Sequence, residues 1–261
     1  MATPKNLALC VTCGTQFGIP FDERPSTCRM CNKTKVANTR QEPRQFVPPS
    51  GQSWTTLEKL QANHRNEFKQ DEHDGRIWSI FSKPQITISQ RAVFIKTEHG
   101  NKFDCPVYLA AEDQEWLNRE DTEYRRVFFD GETQDILPGV TMVKLGGHFP
   151  GSSVLHWNNN IFTGDTIGIS LSGLNRAHHN ENHQIFLFHY AFPNYIPLGP
   201  TAMRLIWKRL CPWDFTSVYS LFFTTTVHES SVKEIILESM KRQAIHQEND
   251  AHPLMQEQIE A

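Results

Sequence analysis

The stretch that decides the reading is "VKLGGHFPGSSVLHW", Val143 to Trp157, with "IFTGDTI", Ile161 to Ile167, close behind it. The first runs as a strand into Gly146 and Gly147, turns at His148 through Phe-Pro-Gly-Ser, and resumes as a strand. Two successive glycines let the backbone leave the sheet sharply, so His148 is expected at a strand end, in a loop rather than in the core. The second stretch repeats the design: a strand, Gly164 for the turn, then Asp165. Ligands and catalytic groups are often held this way, on loops carried by a rigid sheet. A neutral imidazole suits Zn²⁺, Fe or Mn, and a carboxylate can bind one metal or bridge two. His148 and Asp165 are therefore candidate metal ligands. The competing readings are a plain loop histidine and an aspartate that caps its own turn.

A second candidate lies at the N-terminus. "CVTCGTQFGIPFDERPSTCRMCN" places Cys10 and Cys13 two residues apart, and Cys28 and Cys31 likewise. Each C-x2-C can wrap a tight turn that points two thiolates at one ion, and two such turns complete a tetrahedral site suited to structural Zn²⁺. Gly14 fits the positive-φ position such a turn often needs. With only Phe17, Ile19, Phe21 and Pro25 between the pairs, the module cannot build a core of its own. The metal would supply much of its folding free energy. A closed four-cysteine site has no open position for catalysis. The alternatives are two disulfides in an exported module and a redox pair. The start "MATPKNLALCVTC" lacks the basic region and long apolar stretch of a secretory signal, and neither pair opens a helix in a βαβ context.

The 261 residues suffice for one large domain or two smaller ones, and a net charge of -3 gives no electrostatic reason to expect a nucleic-acid or membrane partner. No apolar run approaches the roughly 18–20 residues needed to span a bilayer. A cytoplasmic protein is the expectation, and paired cysteines in a reducing compartment favour a metal over disulfides.

Along the chain, residues 33–50 are polar and proline-bearing and read as a linker. Ser53 is expected to cap a short helix carrying Leu57 and Leu60. Strands are expected around Ile80, at "QITI" (85–88), at "AVFIKT" (92–97) and from Pro106 to Ala110, with a helix near Glu112 to Arg119. "RRVFFDGETQDILPGVTMVKLGG" reads as a meander turning at Asp130-Gly131. Residues 168–182 read as a long loop and "FTSVYSLFF" as a strand. "PTAMRLIWKRL" reads as a helix whose buried face is Met203, Ile206, Trp207 and Leu210. Ser231 and Glu234 form a capping box ahead of the last helix, and the end from Glu248 is expected to fray. Interleaved strands and helices favour an α/β or α+β sandwich.

"GGHFPGSSVLHW" followed by "FTGDTI" resembles the later metal motifs of the metallo-β-lactamase fold. The resemblance is closest to a subgroup in fungi and bacteria that carries an N-terminal zinc-ribbon-like segment. "FVPPSGQSWTTLEKLQ", "CPVYLAAEDQEWL", "FFDGET" and "PNYIPL" are similar to that subgroup too, so the resemblance covers most of the chain. It implies an αββα sandwich with a metal site at one edge, in a hydrolase that acts on a small-molecule substrate. On this reading residues 1–45 are the four-cysteine module and linker, 46–247 the metallo-β-lactamase-like domain, and 248–261 a flexible tail.

The fold's main metal motif, H-x-H-x-D-H, is missing: none of the twelve histidines falls in an H-x-H. "EHGNKFDCPVYLA" runs straight from one strand to the next, where relatives would have on the order of 40 more residues, about a βαβ unit. The first half of the sandwich is therefore expected to be incomplete. His148 and Asp165 would form a partial site for a second zinc or another divalent metal. His228, or His179 with His183 in "HHNENH", are the histidines that could add ligands; His156 and His189 read as packing residues. Two functions stay open: a metal-dependent hydrolase, or a shortened, weakly active or inactive form of one, and a non-enzymatic zinc-binding interaction protein on a degenerate scaffold.

Overall fold

The computed structural model describes residues 4–31, 47–98, 105–121, 123, 125–174, 184–190 and 196–259. The chain is a mixed α+β protein with many strands and few helices. It divides into two compact units, Met1–Pro106 with Trp116–Arg125, and Val107–Glu115 with Arg126–Ala261. The sequence boundary near residue 45 lies outside the described residues, as does most of the expected linker.

In the first unit β1 (Leu7–Cys10) pairs antiparallel with both β2 (Gln16–Pro20) and β3 (Trp54–Thr55). All four β1 side chains are buried, and Phe17 meets Trp54 edge-on with ring centroids 5.1 Å apart. The strand β3 occupies the place expected for the start of a helix. Helix α1 (Leu57–Gln61) begins later and is capped by Thr56, whose hydroxyl accepts from the Lys59 N–H, not by Ser53. A three-stranded antiparallel sheet comes next, β4 (Arg65–Gln70), β5 (Ile77–Lys83) and β6 (Ala92–Ile95). "QITI" is not a strand. Pro84, which lacks an N–H for a ladder, ends β5, and Thr87 and Ser89 adopt positive φ in the turn beyond it.

The second unit opens with a two-stranded parallel sheet, β7 (Val107–Ala110) and β8 (Arg126–Phe129). The segment between them holds a 3-10 turn, Ala111–Trp116, instead of the expected α-helix. The Asp130-Gly131 turn therefore does not close a hairpin, because β8 pairs with β7 and not with the next strand in the chain. That strand is β9 (Thr133–Leu137), which joins β10 (Val140–Lys144), β11 (Ser153–Trp157) and β12 (Asn160–Gly164) in an antiparallel meander. Short pairs β13 (Gly168–Ile169) with β14 (Phe186–Leu187), and β15 (His189–Tyr190) with β16 (Ile196–Pro197), precede helix α2 (Pro200–Leu210). Then β17 (Ser217–Ser220) lies parallel to β12, and β18 (Thr226–His228) returns beside it, giving the six-stranded order β18-β17-β12-β11-β10-β9.

The core of this unit packs against that sheet. On α2, Met203, Ile206, Trp207 and Leu210 are buried as their helical spacing requires. Helix α3 (Val232–His246) contributes Ile236, Met240 and Ala244. Ser231 makes no capping hydrogen bond at the start of α3, so the capping box does not form. The chain end is not frayed through its described part: a 3-10 turn, Pro253–Gln256, inserts Leu254 fully into the core, and Lys241 Nζ donates to the Glu257 carbonyl at 2.8 Å.

Candidate metal centre

Two arrangements of potential ligands are present, one in each unit. In the first unit, β1 ends at Cys10 and the chain turns back on itself: the Gly14 N–H donates to the Cys10 carbonyl at 2.9 Å and the Cys10 N–H to the Thr15 carbonyl at 3.0 Å. Gly14 sits at φ 79, the left-handed region that glycine enters without a side-chain clash. A second tight turn links Cys28 and Cys31. Together they bring the four sulfurs within 4.8 Å of one another, with Cys10, Cys28 and Cys31 buried. Cys10 Sγ lies 3.7 Å from Cys31 Sγ, and Cys13 Sγ 3.8 Å from Cys28 Sγ. These are not disulfides, whose sulfurs stand about 2.0 Å apart. Metal–sulfur bonds of about 2.3 Å in a tetrahedron set sulfur–sulfur edges of about 3.8 Å, so the four residues fit one ion.

The electrostatics agree. Cys10 is drawn far below the ordinary thiol range, first by Cys13 and then by Cys28 and Cys31. Cys13 is lowered to about 7, with Cys10 acting to raise it and Cys28 and Cys31 to lower it. Cys28 and Cys31 are pushed up, by Cys10 first and Cys13 second. Four sulfurs so close cannot all ionise unless a cation shares their charge. One contributor escaped the sequence pattern. Gln52, on the segment leading into β3, accepts from the Cys28 N–H at 3.1 Å and donates to Cys10 Sγ at 3.3 Å. Nothing in the local sequence marks a glutamine 21 residues past the last cysteine for this role.

In the second unit the sheet explains why His148 and Asp165 meet. Strands β10 and β12 are each antiparallel to β11, so they point the same way and their C-terminal ends emerge at one end of the sheet. Gly146 and Gly147, at φ 72 and 84, swing the chain out of β10. A Cβ on Gly147 would stand 2.7 Å from Ile206 Cδ1, so only glycine lets the turn lie against α2. His148 Nε2 reaches to 3.5 Å from Asp165 Oδ2. The histidine is not loop-exposed as the sequence suggested; it is buried to 2%, because the turn folds under the segment 184–190 and α2.

Its Nδ1 lies 3.0 Å from the His189 carbonyl. A carbonyl only accepts, so Nδ1 carries the proton and Nε2 faces the carboxylate. Across that gap Nε2 and the carboxylate are placed to share a proton or a cation. The remaining oxygen, Asp165 Oδ1, is buried with no hydrogen-bond partner among the described residues. A backbone anchor on the far ring nitrogen is the arrangement that orients ligating histidines. The anchor is itself fixed by Gln243 of α3, whose Nε2 donates to the Phe188 and Leu198 carbonyls at 3.0 Å each. Neither Gln243 nor the His189 carbonyl was legible in the sequence. Asp113 also approaches, accepting from the Gly151 N–H at 2.9 Å; burial raises its carboxyl, and the charge of His148 is among the influences that lower it.

Among the described residues, the other histidines do not complete a ligand set. His228 ends β18, opposite Ser217, whose Oγ lies 3.0 Å from its Nδ1. Ser217 in turn pairs with Asn160, at the start of β12, while Asp165 comes just after the end of that strand. Four residues of strand, about 13 Å, separate the two ends. His156 packs on Trp213 and bonds the Asp214 carbonyl at 2.8 Å. His179 and His183 lie outside the described residues. Among the described residues, the four cysteines are the one group of three or more potential ligands that converge. A catalytic zinc takes three protein ligands and a water; His148 and Asp165 supply two, so the described residues do not fit a catalytic metal.

No family model matches the chain. A relative from Bacillus subtilis (strain 168), named uncharacterized protein YmaE, is 27% identical over 287 aligned positions, which cover 91% of this chain and 94% of that protein. The aligned span exceeds the 261 residues of this chain, so the relative carries residues within it that have no counterpart here, about fifty given that share of coverage. No helix among the described residues is long and apolar enough to cross a membrane.

Proposed function

We propose that this chain is a shortened, weakly active or inactive form of a metallo-β-lactamase-fold metal-dependent hydrolase, with a structural zinc in its four-cysteine module. The carrying observation is the His148–Asp165 pair, 3.5 Å apart at one end of a six-stranded sheet. These are the two residues that the resembling motifs mark as ligands, and the sequence has no H-x-H motif to supply the others. The surplus of about fifty residues in the relative is of the size of the segment expected between the strands at Ile95 and Val107. The two-stranded parallel sheet β7–β8 is consistent with such a loss, since parallel strands ordinarily belong to larger sheets covered on both faces. With a complete ligand set the fold would hydrolyse an ester, thioester, amide or related bond of a small molecule. In its present form the second unit retains the scaffold and the two ligands.

Metal analysis of a Cys10/Cys13/Cys28/Cys31→Ser quadruple variant tests this reading. The wild-type chain should hold one zinc and the variant none; tight stoichiometric metal remaining in the variant would show a working second site and overturn the claim of an incomplete one. A second reading, a zinc-binding interaction protein without catalysis, is favoured by the completeness of the four-sulfur cluster. Genomic DNA between the codons for Asn101 and Lys102 separates the two: an in-frame segment encoding H-x-H assigns the chain to a hydrolase gene, and its absence favours the interaction protein.

A further inference from the structure

We infer that Gln52 is a positioning residue of the four-cysteine metal site, and that through it metal loading is coupled to the formation of strand β3. This rests on the cluster being a metal site. The Gln52 side chain spans the two cysteine turns: its Oε1 accepts from the Cys28 N–H at 3.1 Å, and its Nε2 donates to Cys10 Sγ at 3.3 Å and to the Ser53 carbonyl at 3.1 Å. It therefore fixes one turn against the other and places a partial positive charge on a ligand sulfur. A metal held by four thiolates carries a net charge of about -2, which N–H donors to sulfur offset.

The residue after next begins β3, whose Trp54 and Thr55 pair with Cys10 and Leu9. The Ser53 carbonyl, which accepts from Gln52, also accepts from the Val11 N–H at 3.2 Å. The same short segment thus ties together a ligand, the turn after it and the third strand. Without metal nothing bonds the four sulfurs to a common centre, the two turns part, Gln52 loses its hold on one of them, and β3 is held less firmly to β1. The amide differs in kind from the ligands: it touches sulfur and backbone, never the metal.

The test is a Co²⁺ titration of the full chain, reduced, in competition with a chelator. The wild type should bind one Co²⁺ with strong thiolate-to-cobalt absorption. Gln52→Ala should weaken binding about 10–100-fold and move that absorption to lower energy, because the Cys10 lone pairs are no longer stabilised by a donor. Gln52→Glu is isosteric and still accepts from Cys28, so it keeps the test readable if the alanine variant folds poorly. It should weaken binding further by setting a carboxylate beside a thiolate. Amide exchange at Leu9 and Thr55 should slow on metal addition in the wild type, and less in Gln52→Ala. Unchanged affinity and an unchanged band in both variants would overturn the role of Gln52. A wild type that takes up no Co²⁺ with thiolate absorption would overturn the metal site, and the proposal with it.

Discussion

The two candidate centres are complementary in what they possess. The cysteine module has four converging potential ligands and almost no core: three of the five members of its buried apolar cluster, Cys10, Cys28 and Cys31, belong to that set. The second unit has a large core, with Leu145, Ile161, Met203, Ile206, Trp207 and Val218 all buried to 1% or less, and among its described residues only a pair of potential ligands, His148 and Asp165. Where a chain is too short to bury apolar surface, a metal must do the organising. Where a sheet and two helices bury enough, the core alone can hold a pair such as His148 and Asp165 in place with its backbone supports. The first unit should therefore respond to metal and not to core mutations in the second, and the second unit the reverse.

The largest test of that contrast is Cys28→Ser. Loss of one buried thiolate should take the chain from one bound metal equivalent to none, as read by elemental analysis. Structural thiolate zinc sites contribute about 10–16 kcal/mol of apparent binding free energy, far more than Ala8 and Phe17 alone can replace. Amide protection in β1, β2 and β3 should disappear while that of β10, β11 and β12 is unchanged. Equal loss in both units would show that the metal organises both units and not the cysteine module alone.

Ile206→Ala should act on the other side. Ile206 is fully buried on α2 and touches the space under Gly147, so truncation should cost about 2–5 kcal/mol through lost burial and the cavity left behind. The expected readout is a lowered midpoint for the unfolding of the second unit, with metal stoichiometry and β1–β3 protection untouched.

The sequence was informative in proportion to how local the deciding interactions are. The two C-x2-C turns, the α2 face and the Gly-Gly-His turn all depend on residues within a few positions of each other, and each was readable. Thr56 and Ser231 show the limit at its smallest scale. Both are plausible helix caps, yet Thr56 makes the capping bond and Ser231, with φ -93 and ψ 19, does not, because packing of the entering chain decides the backbone angles. "QITI" alternates like a strand but lies beyond Pro84, and its own Thr87 and the following Ser89 take left-handed angles instead. Gln52, Gln243 and the His189 carbonyl were invisible for a different reason. Their partners lie 42, 55 and 41 residues away in sequence, so only the folded register brings them to the cluster or to His148. The proximity of His148 to Asp165 was expected as a motif, but its cause, two strands made parallel by a shared antiparallel neighbour, is a property of the sheet.

A smaller effect concerns how the second unit supports β10, the strand that leads into the turn at His148. Lys144, the last residue of β10, is buried to 3%, and its ammonium donates to both oxygens of Glu112 at 2.7 and 2.8 Å and to the Asp130 carbonyl at 2.9 Å. Burial pushes the Glu112 carboxyl up, but its hydrogen bonds with Lys144, helped by its own backbone, pull it down further, so it stays below its ordinary range. Glu112→Gln keeps the shape and removes the charge, leaving a buried ammonium without its counter-ion. Because the Glu112 side chain is 41% exposed, solvent screening reduces the effect to about 1 kcal/mol. The sign comes from the lowered folded pKa: the stabilisation is present above the unfolded value of about 4.3 and fades as pH falls through the folded one. The variant should thus be less stable than wild type at pH 7, and the two should converge under acid conditions. A constant gap at all pH values would mean that Glu112 holds Lys144 through packing alone. In either case the cysteine module should keep its metal at pH 7, since nothing in that cluster draws on Lys144.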